Sequence, residues 1–124
     1  MDRLDEKALE TAVHYLTLKG YEVLERNWEC PAGEVDVIAV DERDLVFVDV
    51  SARTNIEEGF PGVSSTAEER AERERQACWY LREVAEGAVG LATMPVRFDN
   101  IAITVTSPGR VLLRHHVNAL GPSA

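Results

Sequence analysis

The stretch from Gly33 to Arg53 constrains this chain more than any other. It reads as two strand-length runs, Gly33-Glu34-Val35-Asp36-Val37-Ile38-Ala39-Val40 and Leu45-Val46-Phe47-Val48-Asp49-Val50-Ser51-Ala52-Arg53, around the polar turn Asp41-Glu42-Arg43-Asp44. Successive strand side chains alternate faces, so Glu34, Asp36, Ile38 and Val40 are expected on one side and Val35, Val37 and Ala39 on the other. In the second run Phe47, Asp49, Ser51 and Arg53 share a side. So short a connection makes the two runs antiparallel neighbours, which allows Asp36 and Asp49 to lie side by side on one face. Carboxylates within apolar strands are costly unless they meet a cation, an arginine or a metal, or sit at a wet sheet end.

The flanking sequence supplies the rest of a sheet and its cover. Residues 4 to 19 carry Leu4, Ala8, Ala12, Tyr15 and Leu16 on one helical stripe, widened by Leu9 and Val13, with Gly20 as the stop. Asp5 is expected as a first-turn acid favoured by the helix dipole, with a carboxylate aimed at the sheet as the alternative. Tyr21 to Trp28 reads as a strand, and Cys30-Pro31-Ala32-Gly33 turns it into the central hairpin. From Thr54 to Ser65 the chain has no periodicity, which predicts a loop of about a dozen residues, a length that is often functional or mobile. Ser65 with Glu68, or Thr66 with Glu69, fits a capping box opening a second helix that runs to about Glu86. Its second half carries Ala77, Leu81, Val84 and Ala85 at core spacing. Its first half is expected to be a solvated face on which arginines and glutamates pair locally. Strands over 96–106 and 110–116, joined by Ser107-Pro108-Gly109, complete one domain over residues 1–120, and residues 121–124 form a frayed tail. The order helix, three strands, helix, two strands predicts a meander followed by a crossover: an α/β fold on one mixed five-stranded sheet.

Composition narrows the function. Of 124 residues, 45% are hydrophobic, enough for a single core. No run approaches the roughly 20 apolar residues of a membrane span, and the start of the chain lacks a secretory pattern, so a cytoplasmic protein with no membrane partner is expected. Cys30 and Cys78 have no metal-like spacing and read as reduced, partly buried thiols. The balance of 13 Lys plus Arg against 22 Asp plus Glu, a net charge of −9, opposes tight binding of a polyanion except through a local arginine patch. His115 and His116, adjacent on a strand, face opposite sides and cannot clamp one metal. Trp28, Trp79 and Tyr80 read as core aromatics before they read as base-stacking ones.

Several stretches carry a family resemblance: Leu24-Glu25-Arg26-Asn27-Trp28, Gly33-Glu34-Val35-Asp36-Val37-Ile38-Ala39, Val46-Phe47-Val48-Asp49-Val50 with Arg53, Arg97-Phe98-Asp99, and Asn118-Ala119-Leu120. Together they resemble the YraN-like family, a bacterial group with a restriction-endonuclease-like fold, similar to archaeal Holliday-junction resolvases and the PD-(D/E)xK nucleases. The resemblance implies a central mixed five-stranded sheet flanked by helices in the order α-β-β-β-α-β-β. It also implies a Mg²⁺ site with Asp36 and Asp49 in the metal-ligand positions and Glu34 in the Gly-Glu-x-Asp signature. Such an ion would hold the scissile phosphate and supply an activated water, while a lysine two residues beyond the strand-three acid would offset developing charge.

The departures from that pattern are as specific as the matches. Where the family has Glu-Val-Lys, this chain has Asp49-Val50-Ser51, a ligand one methylene shorter and no cation. The helix-one Gly-Glu pair appears as Ala8-Leu9, and the position of a lysine near the start of the second helix is held by Glu69 or Arg70. A charge-stabilising group contributes about 10² to 10⁴ in rate, so loss of the lysine alone predicts a poor enzyme. Arg53 is the candidate substitute, able to stabilise charge without acting as a base, the alternative being that it simply pairs with Asp49 or Glu34. The expectation is a degraded nuclease site, weak Mg²⁺ binding, and association with nucleic acid, branched or single-stranded DNA, with little or no cleavage. The alternatives are an active Mg²⁺-dependent endonuclease using Arg53, and a non-catalytic module that binds a protein or a second copy of itself. A basic stripe of Arg26, Arg53, Arg97 and the helix arginines Arg70, Arg73, Arg75 and Arg82 would favour the first class.

Overall fold

The computed structural model describes residues 3–54, 66–84, 87, 89–106 and 110–120. The elements are α1 (Arg3–Leu18), β1 (Glu22–Cys30), β2 (Gly33–Asp41), β3 (Asp44–Arg53), α2 (Ala67–Glu83), the single turn α3 (Val89–Ala92), β4 (Val96–Thr106) and β5 (Arg110–His116). The five strands form one sheet in sequence order. Only the β3–β4 pair is parallel, with Leu45 opposite Val96 and Arg53 opposite Thr104. This is the mixed sheet and element order expected; α3 is the addition. The expected loop over 54–65, apart from Thr54, the Ser107-Pro108-Gly109 connection and the 121–124 tail lie outside the described residues.

Strand alternation divides the core into two layers. Val37, Ala39, Val46, Val48, Ile101 and Ile103 pack against Ala8, Leu9, Ala12 and Leu16 of α1. Val35, Ile38, Leu45 and Phe47 pack against Ala77 and Tyr80 of α2. Thr66 caps α2, its Oγ1 accepting from the Glu69 N–H at 3.1 Å. The inward face of α2 differs from the expected one: Gln76 is buried with Ala77 and Tyr80, whereas Val84 is exposed. Trp28 stands edge-on to Tyr80 at 5.2 Å, as core aromatics do. Cys78 is exposed, a correction to the partly buried thiol expected from its neighbours in sequence, because it sits on the outer side of α2.

One break in alternation sets up everything that follows. Val35 packs on the α2 side and Val37 on the α1 side, although they are two residues apart. Their partners on β1 are Trp28 and Arg26, and Asn27 between them has φ of +49°, a left-handed conformation that asparagine tolerates better than most residues. The β1–β2 ribbon therefore turns over at Asn27 and Asp36. At the same point β2 leaves β3, because their pairing begins only at Val37 with Val48. The expectation that Glu34 and Asp36 share a face with Ile38 and Val40 is corrected accordingly: Glu34 and Asp36 turn to the side of α1.

Candidate functional site: a carboxylate pair at a split in the sheet

Where β2 parts from β3, the Asp36 carboxylate takes the place of the missing backbone ladder. Its Oδ2 accepts the Val50 N–H at 2.7 Å. Asp49 projects towards α2, and its Oδ1 lies 2.8 Å from Arg73 Nη2. The two carboxyl groups are neighbours across the split, close enough for Asp49 to oppose ionisation of Asp36. Burial and the neighbouring Asp49 push Asp36 up to about 7, against the Val50 N–H and Arg73, which pull the other way.

Arg73 is itself positioned. Its Nη1 donates to Gln76 Oε1 at 3.1 Å, and Gln76 Nε2 donates to the Ala32 carbonyl at 3.1 Å. Gly33, the glycine of the Gly-Glu-x-Asp signature, makes this possible. It has φ of +115°, and a Cβ there would come within 3.1 Å of Gln76 Nε2. A line of contacts thus runs from the β1–β2 turn through Gln76 and Arg73 to Asp49 and Asp36.

Two cavities flank the pair. On the α1 side, a cavity of about 310 Å³ is lined by Asp5, Ala8, Leu9, Asn27, Glu34, Asp36, Val50 and Ala52. Asp5 thus borders the sheet site and is more than a dipole partner in the first turn. On the α2 side, a cavity of about 150 Å³ is lined by residues including Asp49, Ser51, Glu69, Arg73 and Asn100. Ser51 stands two residues beyond Asp49 on the same side, so the position of the family lysine opens into this second cavity. Arg53, further along β3, is half-buried and engaged in a contact of its own.

In this arrangement the carboxylates are poorly disposed towards a Mg²⁺ ion. Mg²⁺ requires ionised oxygen donors in near-octahedral disposition. Here burial and Asp49 push Asp36 up to about 7, its Oδ2 accepts a backbone N–H, and a guanidinium occupies an oxygen of Asp49. Among the described residues no three His, Cys, Asp or Glu side chains converge as a metal group. The arginine supplies positive charge where the family pattern has a metal.

A second polar cluster lies on the α1 side, towards the other end of β4. Arg97 donates from Nε to Asp99 Oδ1 at 2.9 Å and from Nη2 to Asp99 Oδ2 at 3.0 Å. Its Nη1 reaches both Asp41 Oδ2 and Asp44 Oδ2 at 3.0 Å, and Nη2 reaches the Tyr21 hydroxyl at 2.8 Å. His115 Nε2 lies 2.8 Å from Asp99 Oδ2, Tyr15 Oη lies 3.0 Å from His115 Nδ1, and the Asn118 N–H donates to Asp99 Oδ1 at 2.9 Å. Burial would raise Asp99, but the hydrogen bonds from His115, Arg97 and Asn118 hold it below the usual carboxylate range. Burial likewise pushes Tyr21 up to about 12. Arg97 is therefore committed to this cluster, and the expected basic stripe loses it.

The residues 9–103 match the model of Uncharacterised protein family UPF0102, more than half of the chain. The chain belongs to this family. Relatives described as UPF0102 proteins include one from Beutenbergia cavernae, 38% identical over 104 residues (84% of each chain), and one from Pelotomaculum thermopropionicum, 40% identical over 111 residues (89% of this chain and 88% of the relative). A UPF0102 protein from Moorella thermoacetica is 36% identical over 100 residues, covering 81% of this chain and 79% of its own. Among solved structures, Pyrococcus furiosus SfsA in complex with Ca²⁺ is similar at 13% identity and a TM-score of 0.40, over 94% of this chain and 64% of that one. Among the described residues of this UPF0102 chain no helix is long and apolar enough to cross a membrane.

Proposed function

We propose that this UPF0102 protein associates with nucleic acid, branched or single-stranded DNA, through a nuclease-type site that binds Mg²⁺ weakly and cleaves poorly or not at all. The observation that carries this reading is the Arg73–Asp49 ion pair beside Asp36, whose carboxyl burial and Asp49 push up to about 7. It answers the question raised by two carboxylates in one sheet: they are neutralised by a proton and a guanidinium. Ser51 leaves the lysine position without charge, so even a bound ion would lack the group that offsets charge on the phosphate. Arg75 and Arg82, both exposed, flank Trp79 on the outer side of α2, with Arg82 over the indole at 5.4 Å. They offer a small basic and aromatic patch that survives the overall acidity.

The test is cleavage and binding on the same samples: labelled single-stranded, duplex and four-way-junction DNA at low salt with Mg²⁺ or Mn²⁺, for wild type, Asp36→Asn and Ser51→Lys. Binding without cleavage, with cleavage gained in Ser51→Lys, is the expected result. Metal-dependent cleavage by wild type that Asp36→Asn abolishes would instead establish the active enzyme, with Arg53 serving for the lysine. Neither binding nor cleavage would leave the interaction-module reading.

A further inference from the structure

Two residues lining the cavity on the α2 side carry buried polar atoms that neither the Asp36–Asp49 contact nor the ion pair uses. Asn100 is only 6% exposed, and its Oδ1 is buried without a hydrogen-bond partner, as is the Ser51 Oγ. Buried polar atoms are nearly always paired, so orphans bordering a cavity mark groups that a ligand completes. Asn100 sits beside Asp49 in the parallel β3–β4 register, and Ser51 lies two residues on from Asp49, so the orphans and the carboxylate face the same space.

The cavity is built in advance. Its wall includes Ala119 and Leu120, part of the Asn118-Ala119-Leu120 stretch that the family resemblance singles out and that metal chemistry leaves without a role. Three bonds pin that turn: Asn118 N–H to Asp99, Ala119 N–H to the Phe98 carbonyl at 2.7 Å, and Arg70 Nη2 to the Leu120 carbonyl. Asn118 adopts φ of +56° to make the turn. Phe47 and Phe98 line the same cavity, with ring centroids 5.9 Å apart and planes only 33° from parallel.

These surroundings select a ligand. Asp49, Glu69 and Asp99 line the interior against Arg73 alone, so its charge balance does not favour an anionic group. Asn100 Oδ1 accepts only, and Ser51 Oγ can accept, so the entering edge must carry N–H donors. The neighbouring phenyl rings suit a flat ring, and about 150 Å³ corresponds to roughly five waters, the size of a single small heterocycle and less than a drug-sized ligand needs. We propose that this cavity receives one unpaired nucleobase, its ring against Phe98, the partly exposed member of the phenyl pair, and its N–H edge donating to Asn100 Oδ1 and Ser51 Oγ. The inference rests on the nucleic-acid reading above and adds to it the group that is recognised.

The test is an anisotropy titration at low salt with two labelled strands of about 12 nucleotides, a usual site size, one of oligodeoxyadenosine and one of abasic sugar-phosphate. Wild type is expected to prefer the base-bearing strand by about tenfold. Ser51→Ala and Asn100→Ala are each expected to weaken binding of that strand about fivefold and to leave the abasic strand unchanged. If Asn100→Ala lowers the melting temperature, Ser51→Ala, which removes a single unpaired oxygen, carries the comparison alone. Equal affinity of wild type for both strands, or a base preference that survives both substitutions, would overturn the pocket and leave the nucleic-acid reading standing. No binding of either strand would overturn both.

Discussion

Asp36 and Asp99 are both carboxylates set within the sheet on the side of α1, and their surroundings treat them in opposite ways. Asp99, whose side chain is fully buried, receives two bonds from Arg97, one from His115 and one from the Asn118 N–H, and is held below the usual range. Asp36 receives one backbone N–H and faces another carboxylate, and it rises to about 7. The lesson is one of completion. A buried charge with every lone pair satisfied is part of the scaffold, whereas one left short of donors marks a place where the fold has kept chemistry available. The two orphaned oxygens of Ser51 and Asn100 lie on the incomplete side of that division.

The largest effect is expected from breaking the complete cluster. Arg97→Met leaves Asp99 buried with half its donors and abandons Asp41 and Asp44; the loss should be about 3–5 kcal/mol, read as a large fall in the urea midpoint or failure to accumulate as folded protein. An ordinary surface-arginine effect would mean that the cluster is not the anchor described here.

Gly33→Ala comes next. The left-handed backbone alone costs about 1–2 kcal/mol in an L-residue, and the added Cβ presses on Gln76. Because Gln76 steadies Arg73, the substitution should also disturb the Asp49 ion pair, visible as a change in the Arg73 side-chain NMR signals. Loss of stability with those signals unmoved would separate the turn from the site.

Asp36→Asn is expected to act in the opposite direction. A carboxyl raised in the folded state binds its proton between about pH 4 and 7 while the unfolded chain has released it. Its contribution is therefore full below about pH 4 and is lost as pH rises through about 7. Asparagine keeps the acceptor for Val50 and a donor towards Asp49 at every pH. At pH 8 the variant should be more stable than wild type by about 1–2 kcal/mol, after discounting for partial exposure, and its stability should be flatter across pH 4 to 7. Asp99 gives the mirror image: its folded pKa is lowered, so its contribution is present above about pH 4 and disappears as pH falls below that.

Arg73→Gln should change stability least, by about 0–1 kcal/mol, since the pair is partly solvated, with side chains 24% and 42% exposed. Its sharper readout is Asp36, which should titrate higher once the guanidinium is gone.

The sheet and both long helices were legible in the sequence from strand alternation, helical spacing and a short turn, as was the nearness of Asp36 to Asp49, but the two meet from opposite sides of the sheet and not on the one face expected. The turnover of the ribbon was not, since one left-handed residue, Asn27, exchanges the faces of everything beyond it. Arg73 was hidden among glutamates on what reads as a solvated face. The signal that would have found it is its position one turn before Gln76, Ala77 and Tyr80, the stripe that α2 buries. Arg97 and Asp99 were legible as a motif, but the cluster around them was not, because Asp41, Tyr21 and Tyr15 lie more than fifty residues in sequence from the side chains they meet. Asn100 left no signal of its own, for an orphaned oxygen exists only once the strands around it are in register.

The central claim, that a proton and an arginine stand where a metal is expected, is tested most directly by following the Asp36 side-chain carboxyl by carbon NMR as a function of pH, with and without millimolar Mg²⁺. The account predicts a midpoint near 7 that Mg²⁺ leaves in place. A midpoint in the ordinary carboxylate range, or one that Mg²⁺ drives sharply downward, would contradict it and restore the pair as metal ligands.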